Sequence, residues 1–262
     1  MGCVTKVPHE ARQVAESFGA NAERYDRTRP LYPDALIDRI VTASPGHAVL
    51  DVGCGTGIAA RQFQAAGCAV LGVEPDRRMA ELARRGGVAV EVATFEEWDA
   101  ADREFDAVVA GTAWHWVDPV AGAVKARRLL RPGGVLAAFW HVFIPPPEVS
   151  RAFVAACEDV MPGSPFILPP TASPHDAYRA MATKTTEGIL AAGGFTAPEQ
   201  WTFDWERTYT RDEWLDQIPT QGVLNLLPPD KLAHILTTVG NAIDDEFRMP
   251  YTATAVTTTR TG

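Results

Sequence analysis

Residues 49–57 read VLDVGCGTG. An apolar run ends in Asp51, and Gly53, Cys54, Gly55, Thr56 and Gly57 then turn the chain into a segment of helical composition, TGIAARQFQAAG. Glycines at such a turn permit positive φ and let a ligand approach the backbone. On an open α/β sheet the first strand-to-helix turn is where cofactors bind. The spacing separates two chemistries. A dinucleotide fingerprint is GxGxxG, whereas this loop is GxGxG with an acid two residues before its first glycine. A pyrophosphate needs open helix-end amides and no adjacent carboxylate. Asp51 instead suits an ammonium group, held directly or through water. The loop therefore fits a nucleoside bearing an amino acid better than one bearing phosphates.

Outward from the loop, HAVLDVG, CAVLGVE, VAVEVA, FDAVVAG and GVLAAFWH form a series of strands separated by helical or turn segments such as PDRRMAELARRGG. Strands alternating with helices of this length imply a parallel sheet covered on both faces. Upstream, residues 9–26 have helical composition and end at the break RTRPLYP, after which DALIDRIV is a short amphipathic helix. Beyond residue 144, Pro145–Pro147 and PGSPFILPPTASP interrupt a stretch that reads as helices over about 148–161 and 175–192. EQWTFDWER and YTATAVTTT then alternate like antiparallel strands, with a helix around 229–246 between them. The expected organisation is one domain: a helical N-terminal cover (1–45), a cofactor-binding core (46–143), a lid insertion (144–192) and C-terminal strands and helix (193–262) that complete the sheet.

Composition narrows the function. The 262 residues are 46% hydrophobic and 22% charged, with a formal net charge of −9. No basic stripe suggests nucleic acid as a partner. The densest basic run, KARRLLR at 125–131, reads as a solvated helix end favourable to the helix dipole. Cys3, Cys54, Cys68 and Cys157 show no CxxC and no paired spacing, so a reduced, cytoplasmic chain without disulfides or zinc is expected. There is no apolar run of transmembrane length and no signal-peptide pattern, and the myristoylation pattern fails at Lys6, so no membrane partner is expected. No Asp/Glu/His cluster has metal-ligand spacing, and Asp244–Asp245 reads as a helix-surface pair.

Two further markers follow the loop. Glu74 ends the second strand 21 residues after Gly53, where an acid can take both ribose hydroxyls; alone it also reads as a solvated loop carboxylate. Thr94 and Phe95 follow the third strand, where they would offer adenine a polar group and an apolar wall, or serve as helix cap and core. Together, VLDVGCGTG, Glu74, FDAVVAGTAWHWVD and RLLRPGGVLAAFWH resemble a class I S-adenosylmethionine-dependent methyltransferase. The closer likeness is to the small-molecule "type 11", trans-aconitate methyltransferase-like group, whose members also carry a Tyr, an Arg-Pro and a Tyr-Pro as in SFGANAERYDRTRPLYP (17–33). The resemblance is strong over 17–143 and faint over 190–262. It implies a Rossmann-like, seven-stranded, mostly parallel sheet with helices on both faces, the last strand antiparallel, and a helical lid after the fifth strand.

It also implies roles. The glycine motif falls on Asp51, Gly53, Cys54, Gly55 and Gly57, the ribose acid on Glu74 with Pro75 beside it, and the adenine side on Thr94 and Phe95. Gly111 and Thr112 would pass under the methionine part of the cofactor. In related proteins the N-terminal segment covers the cofactor, which makes Tyr25 and Arg29 candidates. Arg29 either takes the methionine carboxylate or pairs with Asp26 or Asp34.

In GTAWHWVDP (111–119), His115 reads as a general base, as a cavity wall with Trp116, or as packing, because an extended chain would put Trp114 and Trp116 on one side and His115 on the other. His141 is a second base candidate, while His175 and His234 lie in the variable half. Trp98, Trp116, Trp140 and SPFILPP could wall an apolar or aromatic acceptor. The expected activity is methyl transfer from S-adenosylmethionine to a small-molecule acceptor, slightly favouring oxygen, with S-adenosylhomocysteine as product. The alternatives are a cofactor-binding module without transfer activity and a nicotinamide-dependent oxidoreductase. The sequence assigns no oligomeric state.

Overall fold

The computed structural model describes residues 18–163 and 174–262. A 3₁₀ turn (Phe18–Asn21) leads into α1 (Ala22–Thr28) and α2 (Asp34–Ala43). The core then alternates: β1 (Ala48–Val52), α3 (Ile58–Ala65), β2 (Ala69–Val73), α4 (Arg77–Arg85), β3 (Ala89–Glu91), β4 (Phe105–Gly111), α5 (Pro119–Leu129) and β5 (Leu130–Phe143). There follow α6 (Pro147–Val160), α7 (Pro174–Ala192), β6 (Glu199–Thr210), α8 (Arg211–Gln217), α9 (Pro229–Ala242) and β7 (Glu246–Thr259). Of the helix expected over 9–26, the described part begins at Ala22, and the helix expected to 246 ends at Ala242 because β7 starts there.

The seven strands lie in the order β3-β2-β1-β4-β5-β7-β6. β7 is antiparallel to both neighbours and every other pairing is parallel. The last strand therefore slots between β5 and β6 instead of ending the sheet. Strand alternation sends Val49, Val109 and Ala137 to one face, under α2, α3 and α4, and Leu50, Val108 and Leu136 to the other, under α5 and α7. Burial of both faces is why these strands read as near-continuous apolar runs.

The segment 144–192, expected as a lid, is divided. β5 and β6 run the same way, so joining them takes a crossover that covers the sheet. Helix α7 is that crossover: Ala182 and Ile189 are buried in the α5-side core, and Gly188 lies so close to Pro119 that a Cβ there would meet its carbonyl oxygen at 2.4 Å. Only α6 leaves the sheet layers. It joins α8 and α9 in a separate cluster with Tyr209, Met249 and Tyr251, at the end of β5 and the start of β7. The run KARRLLR serves the fold, since Arg127 donates to the Ala192 and Gly193 carbonyls at the end of α7, 2.9 and 3.0 Å away.

Helix α1 spans these two halves. Asp26 pairs with Arg61 of α3 at 2.6 Å and Glu23 with Arg85 of α4 at 3.2 Å, while Arg24 and Arg27 pair with Asp216 of α8. Among the described residues Cys54, Cys68 and Cys157 are free thiols, no group of side chains is arranged to hold a metal ion, and no helix is long and apolar enough to cross a membrane. Cys3 and SPFILPP lie outside the described residues.

Candidate functional site

The glycine turn is built as the spacing requires. Gly53 has φ +64° and its amide donates to the Val73 carbonyl at 2.8 Å, tying the turn to the end of β2. A Cβ on Gly53 would lie 2.6 Å from the Ala113 methyl. Cys54 turns its side chain into the core against Gly72, so only its backbone faces the loop.

Two carboxylates stand beneath this turn. Asp51 is 1% exposed and neither of its oxygens has a hydrogen-bond partner. Burial, reinforced by the charge of Glu74, pushes its pKa up to about 8. Glu74 is buried, not solvated: its Oε2 accepts from the Gly55 amide and its Oε1 from the Asp76 amide, each at 2.9 Å. Burial outweighs these two amides and pushes its pKa up to about 7. Each oxygen retains a further lone pair for a ligand. Pro75 is exposed beside it.

The N-terminal segment closes over the turn. Gly19 rests on the Asp76 carboxylate, where a Cβ would have no room. The Arg29 guanidinium lies over the Tyr25 ring, 4.7 Å from its centroid, and donates to the Thr220 carbonyl. Its Nε is buried without a partner, and it makes no ion pair among the described residues. The alternative pairing with Asp26 is excluded because Asp26 is taken by Arg61. Tyr32 exchanges backbone hydrogen bonds with the Gln62 side chain of α3 at 2.9 and 2.7 Å, and its hydroxyl meets Thr112 Oγ1 at 2.8 Å. The charges of Asp51 and Arg29 both reach this phenol, whose pKa is raised chiefly by burial. Sequence reasoning passed over Tyr32 and Gln62; the Tyr-Pro in RTRPLYP was the available signal.

At the tip of β4, Thr112 holds φ +55°, an outlier for a β-branched residue, and donates its amide to Phe139 at 2.7 Å. Trp114–Trp116 is a 3₁₀ turn, not an extended segment. This turn separates the three rings: Trp114 is fully buried against Phe95, whereas His115 and Trp116 remain partly accessible. His115 and Tyr178 are half-buried. Tyr25, Arg29, Gly111 and Thr112 keep the same partial exposure. His141 stacks on Tyr32 at 4.3 Å, and both its ring nitrogens are buried without partners.

Both histidines are poor bases. Burial pushes the His115 pKa down to about 4, and burial with the nearby Arg29 charge pushes His141 down to about 3. Each then lies about three units or more below neutral pH, far from the match that general-base catalysis favours.

Several expected walls belong elsewhere. Trp140 is 1% exposed in the α5-side core, where its Nε1 donates to His115 Nδ1 at 3.2 Å, so it is not a substrate wall. Trp98 is buried in the same core and bonded to Glu91, and Phe95 packs there too. Thr94 caps a turn, accepting from the Glu97 amide at 3.4 Å. His234 pairs with Asp159 on the surface at 3.4 Å, and His175 is exposed in the first turn of α7. Alternation and composition marked these residues as apolar or titratable, but which face of which layer each enters is a tertiary matter.

Residues 50–138 match a family described as a methyltransferase domain. An uncharacterized methyltransferase of Mycobacterium tuberculosis is 36% identical over 132 residues, covering 50% of this chain and 54% of that relative. The chain thus spans about half the length of the curated relatives it matches. A putative type II methyltransferase from Anaeromyxobacter dehalogenans superposes with a TM-score of 0.59 at 22% identity, covering 87% of this chain and 97% of that one. A Haemonchus contortus phosphoethanolamine N-methyltransferase, solved with S-adenosylhomocysteine, superposes at TM-score 0.53 and 14% identity, covering all of this chain (100%) and 61% of that one. The glycine turn and the strand-end acid both lie within the stretch that matches the methyltransferase domain, and the fold is similar to that of these solved methyltransferases.

Proposed function

We propose that this chain transfers a methyl group from S-adenosylmethionine to a small-molecule acceptor, with oxygen favoured as the receiving atom. One observation carries the reading: a buried carboxylate, Asp51, and a guanidinium, Arg29, each lack an ionic partner although both act on Tyr32. A buried carboxyl without a partner keeps its proton, and a cationic ligand would stabilise its ionised form. A zwitterion does so, its ammonium on Asp51 and its carboxylate on Arg29, and the methionine end of S-adenosylmethionine is a zwitterion. Pyrophosphate would meet the Asp51 charge instead, which disfavours a nicotinamide cofactor.

When bound, S-adenosylmethionine supplies a methyl carbon activated by a sulfonium. The chain's residues do the rest. Glu74 would take the ribose hydroxyls with its remaining lone pairs. The backbone of Gly53, Gly55, Gly111 and Thr112 would lie against the nucleoside and amino-acid parts. The segment carrying Tyr25, Arg29 and Tyr32 would exclude water, while Trp116 and His115 would hold the acceptor within reach of the methyl carbon. The net charge of −9 supports an acceptor other than nucleic acid, and the unpaired cysteines support a cytoplasmic setting.

Calorimetry with S-adenosylmethionine, S-adenosylhomocysteine and NAD tests the cofactor. Binding of NAD alone would overturn the reading. Labelled cofactor against a panel of carboxylates, phenols, thiols and amines tests the transfer. Tight cofactor binding with no methylated product from any acceptor would favour a binding module.

A further inference from the structure

We propose that Trp140 is a positioning residue that holds His115 in its Nε2–H tautomer, so that His115 offers the acceptor a neutral N–H donor and removes no proton from it. The inference rests on the methyl-transfer reading. An indole Nε1 can only donate, so its 3.2 Å contact with His115 Nδ1 places a lone pair on that nitrogen. A neutral imidazole carries one N–H, which must then be on Nε2. Nε2 has no partner among the described residues, and the ring keeps partial exposure at the end of β4. The ring stays neutral because burial, with no charged group contributing, lowers its pKa to about 4.

The donor is fixed in place. Trp140 is 1% exposed within the packed core shared by Trp114 and Leu136, so its indole cannot swing away. The His115 ring is braced by Trp116 at 4.7 Å, which itself meets Phe18 at 6.4 Å. A tautomer held this way makes a hydrogen-bond donor preorganised at no cost during reaction.

The consequence is a substrate class. A neutral N–H favours an acceptor atom with a free lone pair and opposes an ammonium. With no base beside it, the favoured acceptor brings a lone pair that needs no deprotonation, as a carboxylate, a phenolate or a thiolate does. The balance then closes: the acceptor's lone pair becomes the new bond to the methyl carbon, the carbon–sulfur pair returns to sulfur, and no proton is released.

Nitrogen-15 spectra of the full chain labelled at histidine read the tautomer directly, with the His115→Gln spectrum assigning the signal. The expected result is a single Nε2–H form of His115 that does not titrate between pH 6 and 8. An Nδ1–H form, or titration in that range, overturns the proposal. Trp140→Phe should convert His115 to a tautomer mixture while leaving S-adenosylmethionine affinity within about threefold; an unchanged spectrum overturns it, and if that variant does not fold the wild-type spectrum decides. With the best acceptor from the panel above, His115→Gln, which keeps an N–H donor, should retain transfer within about fivefold, whereas His115→Leu should lose roughly a hundredfold. Equal losses in both variants would restore the base. Absence of cofactor binding would instead sink the methyl-transfer reading, and leaves the tautomer measurement standing.

Discussion

Raising the pH from 5.5 to 7 should tighten cofactor binding by about 30-fold. Only the ionised form of Asp51 can hold an ammonium, and in the free protein its pKa is about 8. Its ionised fraction then rises from about 0.3% at pH 5.5 to about 9% at pH 7, and affinity follows that fraction. An α-amino group with a pKa near 8 stays protonated across this range, so the ligand adds no opposing slope. Glu74, pushed up to about 7, contributes in the same direction. The assay is titration calorimetry with S-adenosylhomocysteine in two buffers of unlike ionisation enthalpy, which also counts protons. Asp51 and Glu74 together should release roughly one to one and a half protons per ligand bound near pH 7. Asp51→Asn should weaken binding and flatten its pH dependence. A wild-type affinity that moves less than about threefold, with no proton release, would refute Asp51 as the ammonium site.

The same shifts act on stability with a definite sign. Asp51 and Glu74 have folded pKa values above the ordinary carboxylate range, so these two groups bind more protons in the native state than in the unfolded chain between roughly pH 4 and 8. His115 and His141, pushed down to about 4 and about 3, bind fewer protons folded than unfolded and offset this slope below about pH 6.5, so the loss of stability should appear in scanning calorimetry as a falling Tm from pH 6.5 to 8; a flat or rising Tm there would contradict it. Glu74→Ala leaves the Gly55 and Asp76 amides without an acceptor, at about 1–3 kcal/mol each, and should weaken S-adenosylmethionine binding at least tenfold by calorimetry. Gly53→Ala forces a side chain into φ +64° and against Ala113, and should cost about 1–3 kcal/mol in urea unfolding. Arg29→Leu removes a charge-assisted partner and should weaken the cofactor by about tenfold or more, while a glycine-turn site that ignores Arg29 would leave affinity unchanged.

Much of the fold was legible because its signals are local. An apolar run ending in Asp51 and three spaced glycines specifies a strand, a turn with positive φ and a helix within one short stretch. The strand-end acid Glu74 falls at the next such turn, and the antiparallel character of the last strand follows from the family likeness. The helical periodicity of 175–192 is the same whether a helix covers a sheet or a pocket. Only the parallel sense of β5 and β6, with β7 between them, makes α7 a crossover.

The candidate site shows the same division. Sequence alone determined that a carboxylate and glycines would stand together at the end of β1, since these neighbours in the chain must be neighbours in space. It could not determine what Asp51 and Arg29 lack, because an unpaired charge is a statement about everything packed around it. Nor could it determine the tautomer of His115. The tryptophan that sets it lies 25 residues away, on the neighbouring strand β5, and reaches the histidine only because the turn after β4 folds back across the α5-side core. Proton position is decided by a partner's direction, and direction exists only once the layers have packed.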